Sequence, residues 1–407
     1  MLFCVFMLNL LLRACICTAL IRISACAGLR RPQAKRLVNG YGIYCWIVHR
    51  CRCAPAGAAE NVKMEETEAT LFPFTKIVKQ EKMKRALLLN VIDPTIGGVL
   101  IKGEKGTAKS TAVRSMEQFL PSRPAVKGCA YRCDPRFPKR LCADCKARIA
   151  AGEKLETVNV PMKVVELPLN ATEDRVSGTL DIEYILKTGK KKFEPGILAS
   201  ANGNILYVDE INLLDDHIID LLLDSAAMGV NYVEREGVSF SHPARFVLVG
   251  TMNPEEGNLR PQLLDRFGLS VEVEAEDSIE TRMEVIKRRI AFDADPEAYV
   301  AAEKDELEKL TRKIEDARKL VKKIPADDDA VRMAAKISMN YNMEGHRADI
   351  TLIRAARANA ALEGRDKIAK EDMEAVAALV LAHRVKKRAF DKSGFDEAGV
   401  RKCLASM

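Results

Sequence analysis

The sequence predicts an α/β fold, in which a parallel sheet covered by helices is followed by an all-helical C-terminal lid domain. Short apolar stretches at Gly98–Lys102, Asn204–Val208 and Arg245–Gly250 have the length and composition of buried strands. Segments with helical periodicity separate them, and this alternation is typical of a parallel sheet with helices on both faces. After Glu274 only helical patterns follow, which predicts the second domain.

The individual elements follow from local patterns. A helix is predicted over Lys79–Asn90, where apolar side chains recur at helical spacing, and another over Lys109–Phe119, after a glycine-rich turn. Residues 121–160 are rich in proline and charge and are predicted to be a loop. The other elements predicted for the core are a strand at Val164–Leu167, a helix at Ile218–Ala227 and a hairpin at Val230–Phe240. The helices predicted after the core are Ile279–Ala291, Glu303–Lys323, Ala330–Asn340, Ile350–Glu363 and Lys370–Lys387.

Charge is concentrated in the first part of the chain. The 407 residues carry a formal net charge of +7, but residues 1–63 alone hold nine Lys or Arg and one acid, so residues 64–407 are close to neutral, at −1. A near-neutral body lacks the basic surface that nucleic acid requires, so no nucleic-acid partner is expected. The composition changes abruptly near Met64, and no targeting template fits the preceding segment. These features favour a basic, cysteine-rich extension over residues 1–63 that is not translated.

The predicted domains are residues 64–274 for the α/β core, with a four-cysteine insert at 129–145, residues 275–324 for a helical linker and residues 325–407 for the helical lid. Of the twelve cysteines, seven precede residue 54 and four lie in the insert. A secreted protein would spread its disulfides through the core, so a cytoplasmic setting is predicted. The apolar run Met1–Leu12 meets Arg13 and Arg22 before it reaches the ~20 residues that span a bilayer, so no membrane anchor is expected.

The segment Gly103–Ser110, GEKGTAKS, has the features of a phosphate-binding loop, because it follows a strand and opens a helix. Backbone N–H groups of such a turn point at phosphates, the lysine reaches the β- and γ-phosphates, and the hydroxyl binds Mg²⁺. These two roles are assigned to Lys109 and Ser110. Ala108 stands where the common pattern has glycine. A methyl group is accommodated if that residue keeps a negative φ, so the loop is interpreted as a variant that still binds phosphate.

Two acids at the end of a buried strand form the second predicted part of the site. Asp209 would reach the metal, and the adjacent Glu210 would polarise a water for in-line attack on the γ-phosphate. Asn253 follows the strand Arg245–Gly250 and could orient the same water. Arg266 lies at a turn beyond the sheet and has two interpretations, a surface residue in a salt bridge or a finger inserted into the ATP of a neighbouring subunit.

Four cysteines in the insert have the spacing Cys129-x₃-Cys133-x₈-Cys142-x₂-Cys145. Two close pairs separated by a short loop can surround a tetrahedral Zn²⁺. An iron–sulfur cluster and a set of reduced cysteines in a loop are the alternatives.

Several segments resemble the ATPase I subunit of magnesium chelatase, an AAA+ protein. The resemblance runs from about Phe72 to about Asp396 and is most specific over Asn253–Val273. Glu173–Arg175, followed by Ser177 and Gly178, is similar to the insert that precedes the second phosphate-site strand in that family. The matching segments are GEKGTAKS, NILYVDEINLLDDHIIDLLLD, HPARFVLVGTMNPEEGNLRPQLLDRFGLSVEV and HRADITLIRAARANAALEGRD.

The resemblance implies an AAA+ core and a role for each matching residue. Lys109 corresponds to the Walker A lysine, and Asp209 and Glu210 to the Walker B pair. Asn253 corresponds to sensor 1, Arg266 to the finger that acts on the neighbouring subunit, and Arg347 to the sensor 2 arginine on the helical lid. The residues expected to bind ATP and its Mg²⁺ are Gly103, Gly106, Thr107, Ala108, Lys109, Ser110, Thr111 and Asp209.

The family resemblance also implies partners. Its members form a ring, here expected to be a hexamer, with a D-type AAA+ subunit, and ATP turnover drives metal insertion into a tetrapyrrole held by a large H-type subunit. Magnesium with protoporphyrin, in chlorophyll biosynthesis, is the best-known pairing. A motor for a cobalt chelatase and a protein-remodelling ATPase of the MoxR type remain alternatives. A replicative helicase shares an alanine in its phosphate loop but needs a basic channel, which the charge of residues 64–407 disfavours.

Overall fold

The structure, a computed structural model, describes residues 70–180, 187, 193–235, 238–274, 278–385 and 395–406. The predicted extension over residues 1–63 lies outside these residues. The strands are β1 (Val99–Gly103), β2 (Ser122–Val126), β3 (Thr157–Pro161), β4 (Val164–Leu167), β5 (Gly178–Leu180), β6 (Phe193–Pro195), β7 (Ile205–Val208), β8 (Val230–Arg235), β9 (Val238–Pro243), β10 (Val247–Met252) and β11 (Leu269–Val273).

Helices surround and follow these strands. They are α1 (Glu81–Ile92), α2 (Lys109–Arg114), α3 (Ala143–Ala150), α4 (Glu173–Ser177), α5 (Ile197–Ala201), α6 (Asp216–Met228), α7 (Pro261–Arg266), α8 (Ile279–Ala294), α9 (Pro296–Ala301), α10 (Lys304–Leu320), α11 (Asp328–Asn340), α12 (Arg347–Leu362), α13 (Lys370–Leu381) and α14 (Glu397–Ala405). Among the described residues, no helix combines the length and the apolar character that crossing a bilayer requires.

Five parallel strands form the central sheet in the order β11-β1-β10-β7-β4. If the five strands are numbered by their order along the chain, they lie across the sheet in the order 5-1-4-3-2. Strands 2 to 4 thus lie on one side of β1 and strand 5 lies on the other, so the direction of the connections reverses at β1. In open α/β sheets, ligands bind beyond the carboxyl ends of the strands at such a reversal. The fold therefore places the expected ligand crevice at the end of β1, where the glycine-rich loop begins.

Both faces of the sheet are buried, as the apolar strand sequences predict. On β1, Val99 and Ile101 face the cluster that includes α1 and the C-terminal helices, while Leu100 faces the cluster that includes α6. Successive strand residues point to opposite faces, so a strand between two cores must be apolar at every position. The predicted α/β fold with a helical C-terminal domain is confirmed.

The C-terminal helices pack directly on the sheet layer through α12 and α1. Arg357 on α12 forms an ion pair of 2.9 Å with Asp93 at the end of α1, and Arg85 on α1 donates a 3.1 Å hydrogen bond to Asn359. The buried apolar residues of α10 to α14 belong to the same cluster as those of α1. The helical domain and the core thus share one apolar interior.

Two sequence predictions of local structure were wrong. The segment 121–160 is not a loop: it contains the antiparallel pair β2–β3 and the helix α3. Pro124 lies within β2 and obscured the strand pattern, but proline is tolerated in a strand that pairs on one side only. The helix predicted over Lys109–Phe119 is α-helical only to Arg114 and continues as a 3₁₀ turn, in which the Ser115 hydroxyl donates to the carbonyl of Ala112.

Candidate nucleotide site

The glycine-rich loop leaves β1 at Gly103, beside the last residue of β11. Gly103 has φ +155°, and a Cβ atom there would lie 2.2 Å from the carbonyl oxygen of Val273. No other residue type fits this position without moving β11, because a non-bonded carbon and oxygen cannot approach so closely. The glycine thus lets the chain turn away from the sheet at the reversal point.

The backbone conformation of Ala108, the last loop residue, contradicts the negative φ predicted from the sequence. Its φ is +60° and its ψ is 20°, so it adopts the left-handed conformation rather than a negative φ. A residue with a Cβ atom is strained there by about 1–2 kcal/mol. The loop keeps this geometry because Ala108 must both end the turn and present the first N–H groups of α2 to the loop interior. The alanine therefore occupies a glycine conformation.

Lys109 directs its ammonium group back across the loop. Its Nζ lies 2.6 Å from the carbonyl oxygen of Gly103, 2.5 Å from that of Glu104 and 3.5 Å from the hydroxyl of Thr107. Burial lowers the pKa of Lys109, and the carboxylates of Asp209 and Glu210 offset part of this effect. The positive charge thus faces the concave side of the loop.

Ser110, Asp209 and Thr251 come together from three elements. The hydroxyl of Ser110 lies 3.3 Å from one carboxylate oxygen of Asp209, although 99 residues separate them, and the Thr251 hydroxyl donates a 2.5 Å hydrogen bond to the other oxygen. The parallel register of β7 and β10 brings Thr251 and Asp209 to the same edge of the sheet. Burial alone would raise the pKa of Asp209, but hydrogen bonds from Thr251 and Ser110 and the Arg114 charge hold it below its ordinary value.

Glu210 stands next to this group in a strained backbone conformation. Its φ is +47° and its ψ is 52°, and its N–H donates a 3.1 Å hydrogen bond to the Thr251 hydroxyl. Non-glycine residues in this region are uncommon and are often found at functional sites. The loop residue Lys105 lies 3.9 Å from the Glu210 carboxylate and 2.5 Å from that of Glu256. Glu210 therefore faces the loop.

Asn253 is buried at the end of β10, where the sequence analysis placed it. Its Oδ1 accepts a 3.2 Å hydrogen bond from the N–H of Glu255 and caps the 3₁₀ turn Pro254–Glu256. With Oδ1 engaged in this cap, the Nδ2 group of Asn253 supplies two donors that could orient a water molecule.

Arg266 is held within its own chain. At the end of α7, its guanidinium group pairs with both Asp220 and Asp224, which lie one turn apart on α6. The salt-bridge interpretation from the sequence therefore describes this structure, and a role on a neighbouring subunit requires the guanidinium to leave these two carboxylates.

Arg347 opens α12 on the helical domain and pairs with Asp265, the residue before Arg266. The distance between Nη1 and the carboxylate is 2.7 Å. A second arginine of the helical domain, Arg384, lies 3.1 Å from the same carboxylate and also donates to the carbonyl of Phe267. Arg347 is half exposed, whereas Arg384 is only 4% exposed. The carboxylate of Asp265 thus connects the end of α7 to two arginines of the helical domain.

The four cysteines of the insert also converge. Their Sγ atoms all lie within 4.8 Å of one another, and each is a free thiol. Cys133, Cys142 and Cys145 are buried, and Cys129 is partly exposed.

Family comparisons agree with this geometry. A family profile described as an AAA domain of the dynein-related subfamily matches residues 148–267, and one described as an AAA lid domain matches residues 331–403. A curated protein from Methanocaldococcus jannaschii, named magnesium-chelatase subunit ChlI homolog, is 54% identical over 321 residues, which cover 79% of this chain and 87% of that protein. The chain belongs to the magnesium-chelatase subunit I family.

Another member of the magnesium-chelatase subunit I family gives the same result over almost its full length. The magnesium-chelatase 38 kDa subunit of Acidiphilium rubrum is 49% identical over 337 residues, covering 83% of this chain and 97% of that protein. A crystal structure of a protein from Cytophaga hutchinsonii is 18% identical, covers 82% of this chain and 92% of its own, and has a TM-score of 0.53, which shows a shared fold. The resemblance found in the sequence is confirmed, and the chain is an AAA+ ATPase.

Sequence reasoning missed several residues of this subunit I site. Thr251, the residue after the predicted strand Arg245–Gly250, was given no role, yet its hydroxyl donates to Asp209 and accepts from the N–H of Glu210. A hydroxyl at the carboxyl end of a buried strand, beside a strand ending in two acids, was the available signal. Asp265 and Arg384 gave no signal, because their pairing joins positions 119 residues apart.

Proposed function

We propose that this chain hydrolyses ATP as the I-type motor subunit of a metal chelatase, and that its turnover drives insertion of Mg²⁺ into a tetrapyrrole held by a partner subunit. The observation that carries the proposal is the approach of Ser110 to Asp209 beside Lys109, at the reversal point of the sheet. The names of the two relatives, a magnesium-chelatase subunit ChlI homolog and a magnesium-chelatase 38 kDa subunit, favour this substrate over a cobalt chelatase.

ATP would bind with its phosphates inside the glycine-rich loop. The N–H groups of residues Gly106 to Thr111 would donate to phosphate oxygens, and Lys109 would exchange the carbonyls of Gly103 and Glu104 for the β- and γ-phosphates. This exchange is favourable because the ammonium–phosphate contact pairs two opposite charges, whereas the carbonyl acceptors that Lys109 leaves are neutral.

Ser110 and Asp209 fit a magnesium ion. Mg²⁺ binds oxygen ligands at about 2.1 Å in an octahedron, so adjacent ligand oxygens lie about 3 Å apart. The 3.3 Å between the Ser110 hydroxyl and the Asp209 carboxylate is close to this spacing, and the low pKa of Asp209 keeps the carboxylate charged. The ion, once bound, neutralises charge that develops on the phosphates.

Hydrolysis would depend on Glu210 and on arginines outside the loop. Glu210 would accept the proton of a water aligned with the γ-phosphate, and Asn253 would orient that water through Nδ2. Arg266 of one subunit would reach the γ-phosphate on its neighbour, and Arg347 would reach it from the lid of the same chain as sensor 2. Thr251 would keep Asp209 and Glu210 in register, since it bonds to both.

The proposed assembly is a ring of about six subunits in the cytoplasm, with a D-type AAA+ subunit and a large H-type subunit that holds the tetrapyrrole. A finger that acts on a neighbour needs a closed ring, because only then does each site receive an arginine. The free cysteines of the insert support a reducing compartment.

Affinity capture from the native cell tests this proposal. The bait is the full chain with Glu210→Gln, which should bind ATP without turning it over and so hold the assembled complex. We expect mass spectrometry to recover a D-type AAA+ protein and a very large tetrapyrrole-binding chain. Lys109→Ala combined with Glu210→Gln is the matched control, because it should not bind ATP and should lose these partners.

Two other results would contradict the proposal. Recovery of unrelated client proteins without a large tetrapyrrole-binding chain would support a MoxR-type remodelling ATPase. Recovery of a cobalt-specific large subunit would keep the motor role and change the metal.

A further inference from the structure

The cysteine cluster of the insert has the dimensions of a tetrahedral metal site. Zn–S bonds of about 2.3 Å place the sulfurs of a tetrahedron about 3.8 Å apart. The Sγ atoms of Cys129 and Cys142 are 3.8 Å apart, and all four sulfurs lie within 4.8 Å of one another. A disulfide needs a separation of about 2.05 Å. The four thiols are therefore gathered around a common centre rather than paired.

Backbone N–H groups around the cluster point at the sulfur atoms and would stabilise a negative charge on them. The N–H of Cys142 points at the Sγ of Cys133 at 3.2 Å, and the N–H of Cys145 points at the Sγ of Cys142 at 3.4 Å. Cys142 is the N-cap of α3, so its sulfur also lies at the positive end of a helix. Such hydrogen bonds are the outer partners that stabilise metal-bound thiolates.

A tight turn brings the first pair of cysteines together. Arg132, directly before Cys133, has φ +45°, and its N–H donates a 3.0 Å hydrogen bond to the carbonyl of Cys129. A non-glycine residue keeps this conformation only where surrounding contacts impose it. A metal bound by both Cys129 and Cys133 would provide such a constraint.

The apolar cluster of the insert is small. Apart from the cysteines, its buried members are Val126, Tyr131, Leu141 and Ala199. Units with so few buried residues generally need a metal or a disulfide for stability. The insert is nevertheless joined closely to the core: Asn202 donates a 2.6 Å hydrogen bond to the Tyr131 carbonyl.

The ring of Tyr131 forms the second contact with the core. It stacks on the ring of His242 in β9 with 4.9 Å between centroids, and His242 in turn bonds to Asn231 in β8 at 3.0 Å. Through this stack, the order of the insert is linked to the β8–β9 hairpin, whose first strand packs against α6.

We propose that one Zn²⁺ ion is bound by Cys129, Cys133, Cys142 and Cys145. The ion stabilises the fold of the insert and its packing against the β8–β9 hairpin. The ion has a structural role and leaves no ligand position open, since all four are protein sulfurs. This inference is independent of the proposed function, because it concerns residues away from the nucleotide loop.

Metal content tests the proposal. In the full chain, seven further cysteines precede residue 54, so the measurement is the difference between variants. Cys142→Ser should lose one equivalent of zinc by elemental analysis, whereas Cys403→Ser, which removes a buried cysteine outside the cluster, should lose none. X-ray absorption of the wild-type chain should show zinc with four sulfur neighbours at about 2.3 Å. Equal zinc in wild type and Cys142→Ser, or iron with the visible absorption of an iron–sulfur cluster, would overturn it.

A second measurement remains informative if Cys142→Ser fails to fold. Chelation of zinc from the wild-type chain should accelerate amide exchange in residues 127–150 and 238–243 by roughly tenfold or more, while β1 and β10 remain protected. Unchanged exchange in both regions would refute the structural role.

Discussion

The guanidinium of Arg347 lies 2.7 Å from the carboxylate of Asp265, which joins the first turn of a C-terminal helix to the end of α7. The sequence analysis identified Arg347 as the sensor 2 arginine, and in the proposed function it reaches the γ-phosphate of ATP. One guanidinium cannot fully contact the Asp265 carboxylate and the γ-phosphate at the same time. Bound ATP should therefore compete with Asp265 for the side chain of Arg347.

Substitution of the two partners separates these roles. Arg347→Ala should lower the rate of ATP hydrolysis by roughly 10- to 100-fold, because it removes a cation from the transition state. Asp265→Asn weakens the ion pairs with Arg347 and Arg384 but leaves both arginines in place, and an asparagine oxygen can still accept from them, so its effect on hydrolysis should be within about threefold. Steady-state ATPase assays compare the two. Equal losses in both variants would show that Arg347 acts only as a structural link.

Lys109 and Glu210 should affect different steps. Lys109→Ala should weaken ATP binding by roughly 100-fold, since it removes a charge-assisted contact to phosphate. Glu210→Gln should bind ATP normally and lower kcat by about 10²- to 10⁴-fold, because an amide cannot accept the proton of the attacking water. Calorimetric binding together with phosphate release measures both. Retained hydrolysis in either variant would contradict the assignment of the site.

Arg266 is predicted to act on the neighbouring subunit. Arg266→Ala should lower hydrolysis by roughly 10³-fold and leave ATP binding intact. In rings that mix Arg266→Ala chains, which keep an intact site, with Glu210→Gln chains, which keep an intact finger, hydrolysis should return at junctions where an intact finger meets an intact site. Mixed rings that are as inactive as either variant alone would argue against a role in trans.

Asp220 and Asp224 should restrain that same arginine. Asp220→Asn with Asp224→Asn frees the guanidinium from its own chain, so ATPase activity at low subunit concentration should rise by about two- to fivefold. Glu234→Gln, an acid on β8, is the control and should have no effect. A loss of activity in the double variant would mean that the pair builds the subunit interface.

Thr251 is predicted to be as important as the acids beside it. Thr251→Val removes one hydrogen bond to Asp209 and one from Glu210, so kcat should fall by roughly 10- to 100-fold. Thr251→Ser keeps the hydroxyl and should retain most of the activity. If the serine variant is as slow as the valine variant, packing of the methyl group rather than the hydroxyl is the cause.

Ala108→Gly should stabilise the chain by about 0.5–1 kcal/mol, because glycine removes the strain at φ +60° but adds freedom to the unfolded chain. Ala112→Gly, in the interior of α2, is the matched control and should destabilise it by about 1 kcal/mol. Urea unfolding measures both. If Ala108→Gly destabilises as Ala112→Gly does, the strain has been overestimated.

The sequence was sufficient to predict features that depend on local pattern. Apolar strands, a loop with Lys109 and Ser110, and a strand ending in Asp209 and Glu210 all appear where expected. What it did not reveal are pairings across long separations. Asp265 meets Arg384 only after the helical domain has folded, and Arg266 meets Asp220 and Asp224 only after α6 has packed against α7. The φ of Ala108 was predicted with the wrong sign because residue preference was allowed to outweigh the demands of the turn.

The left-handed Ala108 also bears on how each catalytic cycle begins. An alanine samples far fewer backbone conformations than a glycine, so a loop that already holds it at φ +60° has less freedom to lose when ATP arrives. The conformational entropy of the loop is largely lost once, during folding, and is not lost again at every round of nucleotide exchange. A motor with this loop should bind ATP with a smaller entropic penalty than one that carries glycine, and it should re-enter the cycle faster after releasing ADP.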